Sequence, residues 1–263
     1  MSRRVPSIGP TTCGIALVGE APGATEVRVG EPFVGKAGKL LTELMNNAGI
    51  LRSKCYITNV MKERPSPFSN DISVDFKTDT RNRVVYQSPR FLNYIEELKE
   101  ELSLVRSNVI VAVGKPALWA LCGRTEITKL RGSILESTLL PGRKVIPIIH
   151  PAATFDMFIW TYFIAMDLKR VLSDSKFPEL NLPKRNLLIA PTFEDACGWL
   201  DECNDCSTIG SDIEVLRNSL AAYSAAKSPA EAMSIPFVGQ GGDYFTIEQE
   251  TEIMRRIAKL HLN

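Results

Sequence analysis

The sequence has little of several features that would by themselves place a protein in a class. The net charge is +1 over 263 residues, histidine occurs only twice, and no apolar run reaches the roughly 18 residues of a membrane span. A near-zero net charge excludes an overall field that attracts nucleic acid or lipid, so any such binding depends on local patches. No apolar core follows the N-terminal arginines, which excludes a secretory signal. We therefore predict a cytoplasmic protein with no membrane partner.

The cysteines are few and scattered. Cys203 and Cys206 have C-x-x-C spacing, but a structural zinc site needs four ligands and only Cys197 lies near them in the sequence. Reduced thiols are the favoured interpretation of this distribution. The composition is 44% hydrophobic and 23% charged, which is typical of a globular chain with one large domain or two modest ones.

Four short runs rich in Val and Ile are continuous rather than alternating, which is typical of strands buried on both faces of a parallel sheet. They cover residues 14–18, 55–60, 108–113 and 144–149. Amphipathic helical stretches at 37–48, 89–104, 116–121 and 158–172 separate or follow them. This alternation predicts an α/β fold, a three-layer α/β/α sandwich around a central four-stranded, mostly parallel sheet. The polar, turn-rich residues 65–87 are interpreted as a long surface insertion, mobile or functional.

The pattern changes after residues 173–185, which are rich in Pro, Lys, Asp and Ser. We predict one domain over residues 1–175 and a second over 186–263. The second begins with a strand at 186–190 and a helix at 192–202, and a further helix starts near residue 247. Between them lie three strand-like runs at 208–213, 219–225 and 232–238. Such a meander indicates a partial α+β domain, so we expect the chain to be truncated.

Polar side chains stand where three of the predicted parallel strands end. Glu20 follows the first strand in a Gly-Glu-Ala-Pro-Gly turn, Asn59 lies near the end of the second, and His150 follows the fourth. Ligands bind beyond the carboxyl ends of parallel strands, so these side chains should converge, with Phe33 delivered by the loop after the first strand. Singly, each has an ordinary explanation as a turn, capping or packing residue. Their joint placement favours a binding site.

The kind of ligand follows from the residue types. The glycines near Lys36 lack the spacing of a phosphate-binding P-loop, and they do not form the G-x-G-x-x-G motif of dinucleotide sites. Pro22 and Gly23 mark a tight turn that lets backbone amides approach a ligand. A neutral heterocycle suits this set of a carboxylate, a carboxamide, an imidazole and a phenyl ring. The phenyl ring would stack on the heterocycle, and the carboxamide would recognise one of its edges.

These residues lie within motifs of a known family. Residues 19–26 and 30–41 resemble the first motif of family 4 uracil-DNA glycosylases, and residues 56–65 resemble the second. The later motifs are similar to residues 129–132 and 150–152, and the closing helix is similar to 167–169. The resemblance covers residues 14–172 in the family's order and approximate spacing.

The resemblance implies that the chain hydrolyses the bond between uracil and deoxyribose in DNA after the base is flipped out. The DNA partner would be single-stranded or uracil-containing. Phe33 would stack on the base, Asn59 would pair with its O4 and N3 edge, and His150 would donate to O2. Glu20 would stabilise the cationic sugar or orient water, and backbone amides around Ala21 would complete the pocket. The candidates for phosphate contact are Arg64, Lys129 and Arg131.

The resemblance departs from the family at its metal cluster. Family 4 enzymes typically hold an iron–sulfur cluster with four cysteines, but only Cys13 lies upstream of the first motif here. Glu63 and Ser88 stand where the third and fourth cysteines belong. Thiolates hold such clusters, so we predict that no cluster and no other cofactor is present.

The second domain carries Asp212 and Glu214 as a D-x-E pair on a predicted strand, where residues two apart share one face. With the residues that follow, the pair resembles the opening of the RNase H-like 3′–5′ exonuclease domain of family A DNA polymerases. The resemblance implies an incomplete metal site, inactive without further carboxylates. It also implies that the chain is part of a phage polymerase, with the remainder of that chain as a partner. The alternative is a catalytically silent DNA-binding or processivity module with a retained glycosylase fold.

Overall fold

A computed structural model describes residues 3–65, 72–182, 184–239 and 241–262. The chain divides into two compact units, Met1–Leu182 and Pro183–Asn263. The strands of the first unit are β1 (Thr12–Gly19), β2 (Tyr56–Asn59), β3 (Phe76–Thr78), β4 (Val84–Gln87), β5 (Arg106–Val113), β6 (Leu135–Glu136) and β7 (Lys144–Ile148). Its helices are α1 (Ala24–Val29), α2 (Lys36–Asn47), α3 (Pro89–Ser103), α4 (Lys115–Cys122), α5 (Ile127–Leu130) and α6 (Trp160–Asp174).

The central sheet of the first unit has the strand order β2-β1-β5-β7-β6. β1 is parallel to both β2 and β5, β5 is parallel to β7, and β6 is antiparallel to β7. The predicted α/β class with a mostly parallel sheet is confirmed. The predicted number of four strands is wrong because β6 adds a fifth at the edge. β6 has two residues, too few to produce a periodic pattern in the sequence.

Both faces of this sheet are covered, which explains why the strands have continuous apolar runs. On one face, alternate residues of β1 such as Ala16 and Val18 join a core with α3 and α4. On the other face, Ile15 and Leu17 join a core with α2 and α6. The three layers therefore follow from the alternation of side chains along each strand.

The polar stretch predicted as a surface insertion contains a short antiparallel hairpin formed by β3 and β4, residues 76–87. Phe76 is buried, and its ring centroid lies 5.1 Å from that of Phe91 and 5.6 Å from that of Trp119. One aromatic side chain thus fixes the hairpin to α3 and α4. Part of the predicted insertion, residues 66–71, lies outside the described residues.

The second unit contains β8 (Asn186–Ile189), α7 (Phe193–Asn204), β9 (Gly210–Leu216), β10 (Ser219–Ser228), β11 (Glu231–Pro236), β12 (Val238–Gly239), β13 (Gly242–Asp243) and α8 (Ile247–Leu262). Its main sheet has the order β8-β11-β10-β9, with β8 parallel to β11 and the other pairs antiparallel. A capping box between Thr192 and Asp195 starts α7. Both α7 and α8 pack against β10 and β11 through an apolar core. Within the described ranges, no helix combines the length and apolarity needed to cross a membrane.

Candidate active site

A cleft of about 500 Å³ opens at the carboxyl edge of the first unit's sheet. In the strand order, β2 lies on one side of β1 and β5 on the other, so the connections after β1 and β5 diverge. Crevices at such a switch point are where open α/β sheets bind ligands. The cleft is lined by five of the residues predicted from the sequence: Glu20, Ala21, Phe33, Asn59 and His150. The structure therefore brings these five together.

The loop after α1 holds the Phe33 ring over the cleft in an unusual backbone conformation. Phe33 has a φ of 54°, in the left-handed region that side chains other than glycine seldom adopt. The Glu26 carboxylate accepts the backbone N–H groups of Val34 at 3.0 Å and Gly35 at 2.6 Å. These two bonds hold the loop in place immediately after Phe33. Sequence reasoning gave no role to Glu26, because its partners are backbone groups.

Asn59 approaches the Phe33 ring because Gly19 has no side chain. A Cβ atom on Gly19 would lie 2.2 Å from the Asn59 Oδ1 atom and 2.4 Å from the Phe33 Cζ atom. Both side chains are buried. Glycine at the end of β1 is therefore what places an aromatic face beside a carboxamide edge.

The buried side chain of Lys62 supports the backbone of Asn59. The Lys62 ammonium donates to the Asn59 backbone carbonyl at 2.8 Å and to the Thr58 hydroxyl at 2.6 Å, and it forms an ion pair with Glu101. Burial lowers the pKa of Lys62, and the Glu101 carboxylate opposes that change. Sequence analysis missed Lys62, although it lies in the second motif, since its role depends on a partner in α3.

The Glu20 carboxylate occupies the space between the ends of β1 and β5. Gly114 has a φ of 94°, and a Cβ atom there would lie 2.1 Å from the Glu20 Oε1 atom. Burial raises the pKa of Glu20, while electrostatic interactions with His150 and Lys115 oppose the rise. Lys115 is the first residue of α4, and its ammonium donates to Thr78 at 3.2 Å and to Asn82 at 2.9 Å. Lys115 was not predicted as a site residue.

His150 is oriented by the turn that follows β7. Its Nδ1 atom accepts the backbone N–H of Ala152 at 3.2 Å. In a neutral imidazole this bond leaves the proton on Nε2, which is then free to donate to a ligand. The imidazole centroid lies 6.2 Å from the Phe33 centroid, with the rings tilted by 31°. A planar ligand stacked on Phe33 thus lies within reach of the imidazole.

The three residues predicted to contact phosphates have different surroundings. Lys129 is exposed on α5, and Arg64 is half-buried near the cleft; for both, DNA contact stays a prediction. Arg131 instead donates to both oxygens of Asp167, at 2.9 and 2.7 Å, and to the Phe163 carbonyl at 3.0 Å. These bonds use three of the five guanidinium N–H groups, and the phosphate contact of Arg131 stays a prediction as well.

The donors present do not fit a thiolate-held iron–sulfur cluster. Ser88 donates to Asp75 at 2.6 Å and caps α3 by accepting the Phe91 N–H. Cys13 lies at the amino end of β1, whereas Glu63 follows the carboxyl end of the parallel strand β2. At about 3.3 Å per residue, the length of β1 separates these positions by roughly 20 Å. Among the described residues, no group of three or more His, Cys, Asp or Glu side chains is placed to hold a metal ion.

The D-x-E pair of the second unit lies on β9, where every residue is exposed. Asp212 and Glu214 face Ser224 and Ala222 of β10 in the antiparallel register. Their alternation places both carboxylates on one face of the strand. Their role as incomplete metal ligands stays a prediction.

Comparison with known proteins agrees with this geometry. Residues 6–158 match the model of the uracil DNA glycosylase superfamily. The type-4 uracil-DNA glycosylase of Archaeoglobus fulgidus is 37% identical over 155 residues, covering 57% of this chain and 70% of that protein. The type-4 enzyme of Thermotoga maritima is 39% identical over 140 residues, covering 52% of this chain and 64% of that protein.

A different kind of relative reaches further along the chain. The DNA polymerase of Bacillus phage SP01 is 29% identical over 199 residues, covering 72% of this chain and 19% of that protein. The matched 72% of the 263 residues is longer than the first unit of 182 residues, so the match extends into the second unit. The superfamily match over more than half of the residues, together with the geometry of the cleft, shows that this chain belongs to the uracil-DNA glycosylase superfamily.

Proposed function

We propose that the first unit hydrolyses the N-glycosidic bond of uracil in DNA. The observation that carries the proposal is the meeting of an aromatic ring, a carboxamide, an imidazole and a carboxylate in one cleft. A volume of about 500 Å³ lies within the usual range for small-ligand sites. An enzyme that acts on a base inside DNA must first extrude it into such a pocket.

Recognition of the flipped base rests on Phe33 and Asn59. Stacking of a base on an aromatic ring contributes about 1–3 kcal/mol and does not distinguish one base from another. The Asn59 carboxamide supplies the distinction, because its N–H donates to uracil O4 and its oxygen accepts from N3–H. Cytosine presents a donor and an acceptor in the opposite places. Gly19 leaves room for this carboxamide, and Lys62 holds the Asn59 backbone in position.

Cleavage sends the electrons of the C–N bond into the base and leaves positive charge on the sugar. The Nε2–H of His150 donates to the O2 atom of the departing uracil anion, where negative charge develops. The Glu20 carboxylate stabilises the cationic sugar and orients the water molecule that adds to C1′, accepting its proton. Glu20 must be ionised for this step.

For the second unit, we propose the opening part of a 3′–5′ exonuclease domain within a phage DNA polymerase, with DNA and the remaining polymerase chain as partners. The match to the phage polymerase and the exposed D-x-E strand support this assignment. On this proposal the domains are residues 1–175 and 186–263, and the protein works in the cytoplasm of the host cell. Two-metal hydrolysis needs further carboxylates, so this part is inactive by itself.

A second candidate function is a catalytically silent DNA-binding or processivity module. The poor fit of Glu63 and Ser88 to the family's cluster favours it, because lost cluster donors are compatible with lost catalysis. The intact placement of Glu20, Asn59 and His150 in the cleft favours the enzyme.

The test is to incubate the chain with a single-stranded oligonucleotide that contains one uracil and then to cleave with alkali. We expect a break at the uracil position and none in matched oligonucleotides with thymine or cytosine there. An Asn59→Asp variant should lose uracil release, because its carboxylate cannot donate to O4. Binding of the oligonucleotide without a break above the enzyme-free control would establish the silent module instead.

The pH dependence of uracil release should report the charge next to Glu20. Replacing Lys115 with glutamine removes a positive charge that opposes the burial effect, so the pKa of Glu20 should rise further. Activity needs the ionised carboxylate and therefore increases with pH through this pKa. We expect the acid limb of the kcat profile to move to higher pH, with full activity recovered above it.

The matched control for this measurement is Lys115→Arg, which keeps the charge and should keep the acid limb in place. A limb in the same position in Lys115→Gln and the native protein would mean that Glu20 is not the ionising group that limits turnover.

A further inference from the structure

The β3–β4 hairpin lies at the rim of the cleft. Lys115, the first residue of α4, interacts electrostatically with Glu20 and donates hydrogen bonds to Thr78 and Asn82 of the hairpin. The Thr125 hydroxyl also donates to the Asn82 carbonyl. Ile72, a few residues before β3, lines the cleft itself. The hairpin is therefore linked to the cleft through Lys115 and through the chain that leads from Ile72 into β3.

The two faces of the hairpin differ in what they present. The inner face carries Phe76, which is 4% exposed and packs against Phe91 and Trp119. On the outer face, Lys77 and Tyr86 stand directly opposite each other in the antiparallel register. Directly opposite side chains point to the same side of a hairpin, about 5 Å apart at Cβ. Tyr86 is 49% exposed, so its ring is open to solvent beside a lysine ammonium.

The charge of the hairpin has one predominant sign. Residues 76–87 contain Lys77, Arg81 and Arg83 against one acid, Asp79. Asp79 forms an ion pair with Arg83 at 2.7 Å and accepts the backbone N–H groups of Arg81 and Arg83, each at 2.9 Å. The acid thus orders the turn and leaves an excess of positive charge on an exposed surface.

We propose that this outer face binds the single-stranded DNA that flanks the flipped uracil. Tyr86 stacks on an unpaired base, and Lys77 and Arg81 contact phosphates. Aromatic faces interleaved with cations are the usual means of binding single strands. In a duplex both faces of each base are covered by its neighbours, so an exposed tyrosine ring has no base to stack on. The proposal rests on the proposed function and specifies its substrate as single-stranded.

The test is binding to a fluorescently labelled oligothymidylate without uracil, followed by anisotropy, so that the readout does not depend on catalysis. Tyr86→Ala should weaken binding about 5- to 150-fold, and Tyr86→Phe should retain it. Neither change should alter affinity for a uracil-free duplex. The double variant Lys77→Ala/Arg81→Ala should lower the steepness of log K against log salt by about 1.4.

The matched control is Lys54→Ala/Arg106→Ala, which removes the same charge from exposed positions at the amino ends of β2 and β5, the opposite edge of the sheet. It should change the salt dependence less than the hairpin variant does. Thermal melts of all variants check folding, which exposed substitutions should preserve.

Equal oligothymidylate affinity of Tyr86→Ala and the native chain, or equal salt slopes for the two double variants, overturns the proposal. Failure of uracil release with the binding pattern intact would instead remove the proposed enzymatic function and leave the strand-binding surface standing. The two failures are therefore distinguishable.

Discussion

Replacing His150 with alanine is expected to lower kcat for uracil release about 100- to 1000-fold, the usual effect of removing one donor from a developing oxyanion. The Nδ1 atom of His150 is occupied by the Ala152 N–H, so Nε2 is the atom that carries the donor proton. Without it, negative charge on uracil O2 develops with no protein donor from this side of the cleft. Binding should change little, because stacking on Phe33 and pairing with Asn59 remain.

The measurement is single-turnover release from a uracil oligonucleotide at saturating protein, with binding followed separately by anisotropy. His261→Ala is the matched control, since His261 is the chain's other histidine and contacts Tyr223 in the second unit at 3.0 Å. It should release uracil at the native rate. A His150→Ala rate within about twofold of native would contradict the oxyanion role.

The largest expected effect on stability comes from Asp167→Ala. Arg131 and Asp167 form a bidentate ion pair whose side chains are 19% and 5% exposed. Burial raises the pKa of Asp167 to about 6 and the Arg131 charge opposes this, so the pair is ionised at neutral pH. Removing one partner leaves a largely buried guanidinium without its counter-charge, and we expect a loss of about 3–5 kcal/mol in the free energy of unfolding.

Denaturant unfolding of the variants measures this effect. Arg124→Ala is the control, because its ion pair with Glu126 is largely exposed and should contribute about 0–1 kcal/mol. The double variant Arg131→Met/Asp167→Leu should recover much of the loss, since apolar side chains of similar volume often replace a buried ion pair without cost. A loss in Asp167→Ala no larger than that in Arg124→Ala would show that the pair does not stabilise the fold.

This pair also explains the glycine in the motif at residues 129–132. Gly132 has a φ of 70°, and a Cβ atom there would lie 2.4 Å from the Asp167 Oδ1 atom. The Lys-Leu-Arg-Gly segment therefore joins the loop after α5 to helix α6. Its resemblance to a family motif is consistent with a structural contact as well as with a contact to DNA.

Charged and aromatic side chains connect the N-terminal segment to α3 near Glu63. Arg4 forms an ion pair with Glu97, and its guanidinium carbon lies 5.4 Å from the centre of the Tyr94 ring. Glu63 lies close enough to Tyr94 to raise the pKa of its hydroxyl, although burial is the larger cause. An ion pair and an aromatic ring thus connect the N-terminal segment to α3.

The sequence by itself determined the layers of the first unit and the principal residues of its cleft. Continuous runs of Val and Ile specify strands buried on both faces, and a residue at the end of a parallel strand must lie at the ligand-binding edge. Glu20, Asn59 and His150 could therefore be predicted to meet. Phe33 could be predicted to join them because it lies in the loop after the first strand and because of the resemblance to family 4.

Only the tertiary structure decided which charged groups support the cleft and which are already paired. Lys115 opposes the burial effect on Glu20 because α4, distant in sequence, places it there. Lys62 holds the Asn59 backbone, and its ion-pair partner Glu101 comes from the distant helix α3. The pairing of Arg131 with Asp167, 36 residues away, is equally invisible in the local sequence. Local patterns encode periodicity and turns, whereas the pairing of charges depends on long-range contacts that no local pattern records. The outer face of the β3–β4 hairpin also depends on tertiary structure. Packing of Phe76 on the inner face decides which side of the two short strands is exposed.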